Sequence, residues 1–249
     1  MGASGDQATN LATNLATNLA IIPARGGSRR IPRKNIKPFA GQPMLSWALR
    51  AAQQSGLFAH IVVSTDDDEI AAIAQQFGAK TAGKRPAHLA DDHAGVIPVL
   101  QHTIAECREL GWAFDNVCCI YPCVPMLHGD DIVRAHAQMQ QAGSDFAFAV
   151  CEFPSAIQRA LRREGDGSMQ AFFPEHTATR SQDLEPAYFD VGQFYWGKPE
   201  AWLAGRSPHH GGQACLIPSE RAVDIDTPHD WRRAELMYAA LAAIEPGEA

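Results

Sequence analysis

Apolar positions along this chain alternate between two rhythms. Residues 19–23 (LAIIP) form a short unbroken apolar run closed by Gly26-Gly27, the pattern of a buried strand feeding a loop. Residues 44–55 carry apolar side chains at helical spacing, and Gly56 stops them. Ile61-Val62-Val63 is β-branched and predicts a second strand. Residues 65–69 then open a helix over 70–77 that ends at Gly78, and their carboxylates suit the positive end of the helix dipole. The same reasoning predicts a helix over 93–110, a strand over 116–121, a helix over 130–141 and a strand over 146–150. Strand and helix in alternation predict an α/β chain: a mostly parallel sheet flanked by helices. Ligands of such sheets sit at the carboxyl ends of the strands.

After Cys151 the rhythm changes. Short strand candidates at 157–163, 168–172, 193–196 and 214–217 are separated by polar loops. They predict a small β-rich extension, roughly 152–222, that supplies substrate contacts. A closing amphipathic helix is expected over 230–243. Residues 8–19 repeat Ala-Thr-Asn-Leu three times, and so short a polar repeat buries no face of its own. Residues 1–17 are therefore expected to be a disordered leader, with 18–249 forming one domain.

Composition narrows the function. A net charge of −7 argues against a general nucleic-acid binder, which needs a basic surface. No apolar stretch approaches the ~18–20 residues needed to span a membrane, and the N-terminus lacks the pattern of a secretory signal. Six cysteines occur without a CxxC pair, which points to reduced, buried thiols in a cytoplasmic protein rather than a zinc cluster.

Against that acidic background, residues 21–35 (IIPARGGSRRIPRKN) concentrate five cations: Arg25, Arg29, Arg30, Arg33 and Lys34. A strand end followed by paired glycines and Ser28 lets backbone amides approach an anion while the cations neutralise it. This is chemistry for a polyphosphate. It is neither a Walker A loop nor a dinucleotide fingerprint. Near the other end, Val223-Asp224-Ile225-Asp226 places two carboxylates on one side of an extended segment. Such a pair suits magnesium, which commonly bridges one or two carboxylates to substrate phosphates. Asp230 reads instead as part of a capping box with Thr227, with Pro228 at the first helical position. A third group, Arg180, Gln182, Tyr188, Gln193 and Tyr195, mixes hydrogen-bonding and aromatic side chains as a sugar pocket needs.

Together these segments resemble the acylneuraminate cytidylyltransferases, the CMP-sialic acid synthetases, from about residue 20 to residue 238. The opening Ile-Pro-Ala-Arg-Gly-Gly-Ser loop and the Asp-Ile-Asp pair are the specific motifs. Ser64-Thr65-Asp66, Arg85-Pro86 and Leu89-Ala90-Asp91-Asp92 match in order. Within the family the likeness is nearer to the branch acting on pseudaminic acid. Its supporting runs are 118–121, 157–160, 179–184 and 192–197. The Gln-Pro-Thr-Ser-Pro-Leu-Arg segment usual in N-acetylneuraminic acid enzymes is replaced here by residues 121–127 (YPCVPML). The family's usual Lys after Gly-Gly-Ser is Arg29.

The resemblance implies a Rossmann-like nucleotide-diphospho-sugar transferase fold and a reaction between CTP and an acidic nine-carbon sugar. It implies that Ala24, Arg25, Gly26, Ser28, Arg29, Lys34 and Asn35 receive the triphosphate, with Arg85 and Asp92 near the nucleoside. Arg25, Arg29, Lys34, Asp224 and Asp226 would carry catalysis, and Asp224 and Asp226 would hold Mg2+. Tyr121, Gln158, Arg159, Arg180, Gln182, Tyr188, Gln193 and Tyr195 would face the sugar, Arg159 or Arg180 pairing with its carboxylate. The proton acceptor stays open between a metal-bound hydroxide and direct activation of the sugar hydroxyl. The family commonly forms homodimers, and a pseudaminic acid product would be destined for flagellin or surface polysaccharide. The same reaction on N-acetylneuraminic or legionaminic acid, and a non-catalytic nucleotide-binding module, are the alternatives.

Overall fold

The computed structural model describes residues 17–91 and 94–244. In chain order the elements are β1 (Asn18–Pro23), β2 (Pro38–Phe39), β3 (Gln42–Pro43), α1 (Met44–Ser55), β4 (Phe58–Ser64), α2 (Asp68–Gln76), α3 (Val96–Glu109) and β5 (Asn116–Ile120). They continue with α4 (Gly129–Ala142), β6 (Phe146–Glu152), β7 (Leu161–Arg163), β8 (Met169–Ala171), β9 (Tyr188–Gly197), α5 (Pro199–Leu203), β10 (Gln213–Leu216) and α6 (Pro228–Ile244). Six strands form one sheet in the order β10-β6-β9-β5-β1-β4. All neighbours pair in parallel except β9, which runs antiparallel to both β5 and β6. The mostly parallel α/β sheet expected from the alternation is present.

Period-two alternation along β1 builds both faces of the sheet. Leu19 and Ile21 pack with Leu100 and Ile104 of α3 and Trp202 of α5. Ala20 and Ile22 pack with Leu45 and Leu49 of α1 and Ile132 of α4. Covered on both sides, the strand is apolar throughout, which is why it reads as an unbroken run. A third cluster joins the two ends of the chain. Ile31, Phe39 and Met44 pack against Val223, Ile225 and Trp231, and the Phe39 and Trp231 rings meet edge to face at 5.5 Å.

The stretch 152–222 divides. Residues 193–196 are the buried interior of β9, a ten-residue strand in the middle of the sheet, and β10 is an edge strand of the same sheet. The polar positions Asp190, Gly192 and Gln193 interrupt the apolar pattern and hide the strand's true length. Residues 153–187 lie outside the sheet, a mostly exposed excursion holding the β7–β8 hairpin. The strand expected over 157–163 is split there into a 3-10 turn (Ile157–Arg159) and β7. The helix expected over 93–110 is α3, and its His93 end lies outside the described residues. So does the expected leader up to residue 16. Thr17, the last residue assigned to that leader, donates to Asp115 Oδ2 at 2.9 Å and accepts from the Asp115 amide at 2.6 Å. No described helix is long and apolar enough to cross a membrane.

Candidate active site

The carboxyl ends of β1 and β4 lie side by side, and the loop that follows β1 is tied to the start of α2. The Ala24 amide donates to the Ser64 carbonyl at 2.9 Å, and the Gly26 amide to Asp66 Oδ1 at 2.9 Å. Gly26 approaches so closely that a Cβ there would sit 2.7 Å from Asp67 Oδ2. Arg33, in the left-handed region at φ 56°, reaches both Asp67 and Glu69. Its guanidinium holds the Asp67 carboxyl below the usual range. Asp67 also caps α2 by accepting from the Glu69 and Ile70 amides. Capping therefore accounts for Asp67, while Asp66 serves the glycine loop. Arg33, one of the five loop cations, is spent on pinning the loop to α2. Asn35 is buried and donates to the Arg25 carbonyl at 2.8 Å, closing the loop on itself.

The loop opens onto a cleft of about 590 Å³. Arg25, Ser28, Arg29, Arg30, Lys34 and Asn35 line one side of it, and Arg85, Tyr121 and Asp226 also reach its wall. Ala24 and Gly26 are not part of this lining. Val96 and Val99, from the first turn of α3, also line it, so the positive end of a helix dipole adjoins the cationic groups. Arg85 is buried and anchored to the end of β4, its Nε donating to Ser64 Oγ at 3.2 Å. Burial lowers its guanidinium to about 10, which leaves it charged at neutral pH. Asp92, expected near the nucleoside, lies outside the described residues.

Of the acidic pair, Asp226 lines the cleft and Asp224 does not. Lys34 Nζ donates to the Ile225 carbonyl at 2.6 Å and lies 3.3 Å from Asp226 Oδ1. Arg30 Nη2 is 2.8 Å from Asp226 Oδ2. Asp224, two residues back, is pushed above the ordinary carboxylate range by the protein crowding it and by the charge of Asp226, against the pull of Lys34. Two carboxylates at alternate positions of one extended segment are a fit donor set for a divalent cation. No group of three or more metal-binding side chains occurs among the described residues, so such a cation would complete its shell with phosphate oxygens and water, as magnesium does. Asp230 is committed elsewhere. Its Oδ2 accepts from the Thr227 amide and hydroxyl, each at 2.7 Å, and from the Asp226 amide at 3.2 Å. Thr227 Oγ1 accepts from the Asp230 amide in return, the reciprocal capping box.

The expected sugar residues fall into three sets. Tyr121 lines the cleft, and its amide donates to the Gln193 carbonyl at 2.8 Å. Gln193 and Tyr195 are buried beside it. Gln193 Nε2 donates to the Arg221 carbonyl at 2.8 Å, and the Tyr195 hydroxyl donates to Asp190 Oδ1 at 2.8 Å. Gln158, Arg159, Arg180, Gln182 and Tyr188 do not line the cleft. All but Tyr188 lie on the 153–187 excursion, where Gln158 donates to the Glu185 carbonyl, Arg159 to the Thr179 carbonyl and Arg180 pairs with Asp183. Tyr188 is exposed at the start of β9. The structure adds a pair that the sequence concealed: His209 Nε2 lies 2.7 Å from Asp190 Oδ2. Burial and the Asp190 charge push the Tyr195 and Tyr121 phenols well up, so both stay neutral donors beside the cleft.

Comparisons with known proteins agree with this arrangement. A family described as "Cytidylyltransferase" matches residues 19–184. The chain is 40% identical over 221 residues to the pseudaminic acid cytidylyltransferase of Campylobacter jejuni serotype O:2, covering 88% of this chain and 94% of that one. It is 31% identical to the CMP-N,N'-diacetyllegionaminic acid synthase of Legionella pneumophila, over 87% of this chain and 94% of that one. Among solved structures, a CMP:2-keto-3-deoxy-manno-octonic acid synthetase complexed with CTP superposes with a TM-score of 0.67 at 17% identity, covering 91% of this chain and all of that one. At that identity the likeness speaks for the fold alone.

Proposed function

Since the chain belongs to the cytidylyltransferase family, we propose that it transfers CMP from CTP to the anomeric hydroxyl of a nonulosonic acid, pseudaminic acid in the first instance. The observation that carries this reading is that Arg25 and Asp226 line one cleft, so cations from the start of the chain share it with a carboxylate from its end. The similarity to pseudaminic acid and legionaminic acid enzymes supports the choice of sugar class.

In this reading Arg25, Ser28, Arg29 and Lys34 hold the triphosphate, and Arg85 lies toward the nucleoside. The sugar hydroxyl attacks the α-phosphorus in line, its proton is lost, and pyrophosphate leaves. Such transfer depends chiefly on positioning and charge stabilisation. Magnesium held by Asp224 and Asp226 would neutralise the α-phosphate as a Lewis acid. Arg30 and Lys34 hold the Asp226 carboxylate in place at the phosphate-facing wall. Tyr121, with Tyr195 and Asp190 behind it, offers neutral hydroxyls to the sugar side.

A homodimer belongs to the same proposal. Leu161, Met169, Phe172 and Phe173 are all at least 40% exposed on the 153–187 excursion, an apolar surface suited to a second copy. Six free, buried cysteines suit a cytoplasmic, reducing setting.

Mass spectrometry of the product formed from CTP, Mg2+ and a panel of nonulosonic acids tests the reading. A CMP adduct of pseudaminic acid with release of pyrophosphate is expected. Formation of an adduct only with N-acetylneuraminic or legionaminic acid would move the assignment to that sugar, and no adduct with any would overturn it.

A further inference from the structure

The segment bearing the acidic pair is held at both ends. At its far end Asp230 accepts from the Asp226 and Thr227 amides. At its near end stands Arg221, three residues before Asp224. Its side chain is only 12% exposed, and it forks onto Asp131, itself 2% exposed, in the first turn of α4. Arg221 Nη2 donates to Asp131 Oδ1 at 3.1 Å, while Nη1 bonds Oδ2 and also reaches the Met126 carbonyl at 3.4 Å. Arg134 adds a second cation at 2.7 Å from Asp131 Oδ1. The Arg221 carbonyl accepts the Gln193 side chain of β9. One residue thus joins α4, the turn after β5, the central antiparallel strand and the acidic segment. Between the two anchors Ala222, Val223 and Ile225 are buried, leaving the carboxylates at the alternate positions.

A buried ion pair is a poor way to gain stability, because desolvation offsets the attraction. A planar guanidinium fork, in contrast, fixes direction as well as distance. We infer that Arg221, paired with Asp131, is a positioning residue: it sets Asp224 and Asp226 at the angle from which they meet a divalent cation and the triphosphate. This rests on the reading of those two carboxylates as the cation's ligands. The role is that of an outer residue orienting metal ligands, a position whose loss typically weakens metal affinity or activity by about 10- to 100-fold.

Arg221→Lys is the test. It keeps a cation opposite Asp131 but cannot span both carboxylate oxygens. Asp131→Asn, which leaves Arg134 and Arg221 in place, is the second variant should the first melt without a cooperative transition. For each folded variant, free Mn2+ is followed by electron paramagnetic resonance in the presence of CTP, CTP binding is measured in EDTA, and pyrophosphate release is titrated with Mg2+. We expect CTP affinity in EDTA within about twofold of wild type, Mn2+ binding weakened about 10-fold or more, and a lower kcat at an unchanged KM for CTP. Wild-type Mn2+ binding and kcat in a folded variant would overturn the inference. Asp226→Asn run in parallel separates the two readings. If it loses Mn2+ while the Arg221 variant does not, only the positioning role fails. If it too binds Mn2+ as wild type, the assignment of the ligands fails, and the positioning role with it.

Discussion

Lys34 and Asp226 stand 192 positions apart in the chain, yet the ammonium lies 3.3 Å from the carboxylate, and the same ammonium binds the Ile225 carbonyl at 2.6 Å. That contact fastens the glycine loop after β1 to the acidic segment before α6. Through it cations and a carboxylate meet on the wall of one cleft, an arrangement that suits a triphosphate together with a divalent cation.

Arg25→Ala should weaken CTP binding about 10- to 100-fold, the loss expected for one hydrogen bond to a charged group, worth roughly 1.5–3 kcal/mol. Affinity for the sugar should change little. Isothermal titration with CTP alone is the check, and an unchanged dissociation constant would remove the loop from the phosphate site.

At Gly26 the obstacle is steric. An added methyl group would lie 2.7 Å from Asp67 Oδ2 and 3.0 Å from Asp67 Cβ. Gly26→Ala should therefore push the loop off the α2 cap, at a cost of about 1–3 kcal/mol. A lower melting temperature and a raised KM for CTP are expected together, whereas Gly27→Ala, with open space around its position, should show neither.

How much of this was legible beforehand follows from what is local in the chain. The glycine loop concentrates its cations within a few residues, the acidic pair alternates within four, and the Thr227–Asp230 capping box spans one helical turn, so each could be read directly. β1 was legible because both its faces are buried. The length of β9 was not, since Asp190, Gly192 and Gln193 break the pattern and its pairing with β5 and β6 is set by distant residues. The Asp190–His209 pair and the Arg221–Asp131 fork were hidden for the same reason: partners 19 and 90 positions apart leave no spacing to recognise. Arg159 and Arg180 looked like sugar-binding cations by type, and only the fold shows them engaged on the excursion, away from the lining of the cleft.

Asp224 predicts a link between pH and magnesium. Its carboxyl is raised by the protein packed around it and by the Asp226 charge, and the deprotonated form is the one that binds a cation. Activity should fall as pH drops through that raised pKa, and more Mg2+ should move the acid limb to lower pH because metal and proton compete. In the metal-free protein the sign for stability reverses. The native state holds the Asp224 proton more tightly than the unfolded chain, so this carboxyl's contribution is lost as pH rises through the folded pKa. Rate profiles at two Mg2+ concentrations test the first statement, and an acid limb that ignores magnesium would contradict it.

Cys123 sits beneath the loop with its thiol donating to Asn35 Oδ1 at 3.3 Å. Burial pushes that thiol up to about 12, so almost none of it is thiolate at pH 8. Iodoacetamide at pH 8 should leave the native enzyme active and label Cys123 only after denaturation. Rapid inactivation in the native state, with Cys123 modified, would show that the loop opens far more than its packing implies.

The central claim is that Asp226 acts on the same triphosphate that the loop cations hold, and the initial rate of pyrophosphate release by Asp226→Asn at saturating CTP, sugar and Mg2+ tests it most directly. The side chain keeps its size, so the fold should persist while the rate falls by about 100-fold or more, equivalent to about 3 kcal/mol of lost charge stabilisation. A rate close to wild type from the folded variant would contradict the account.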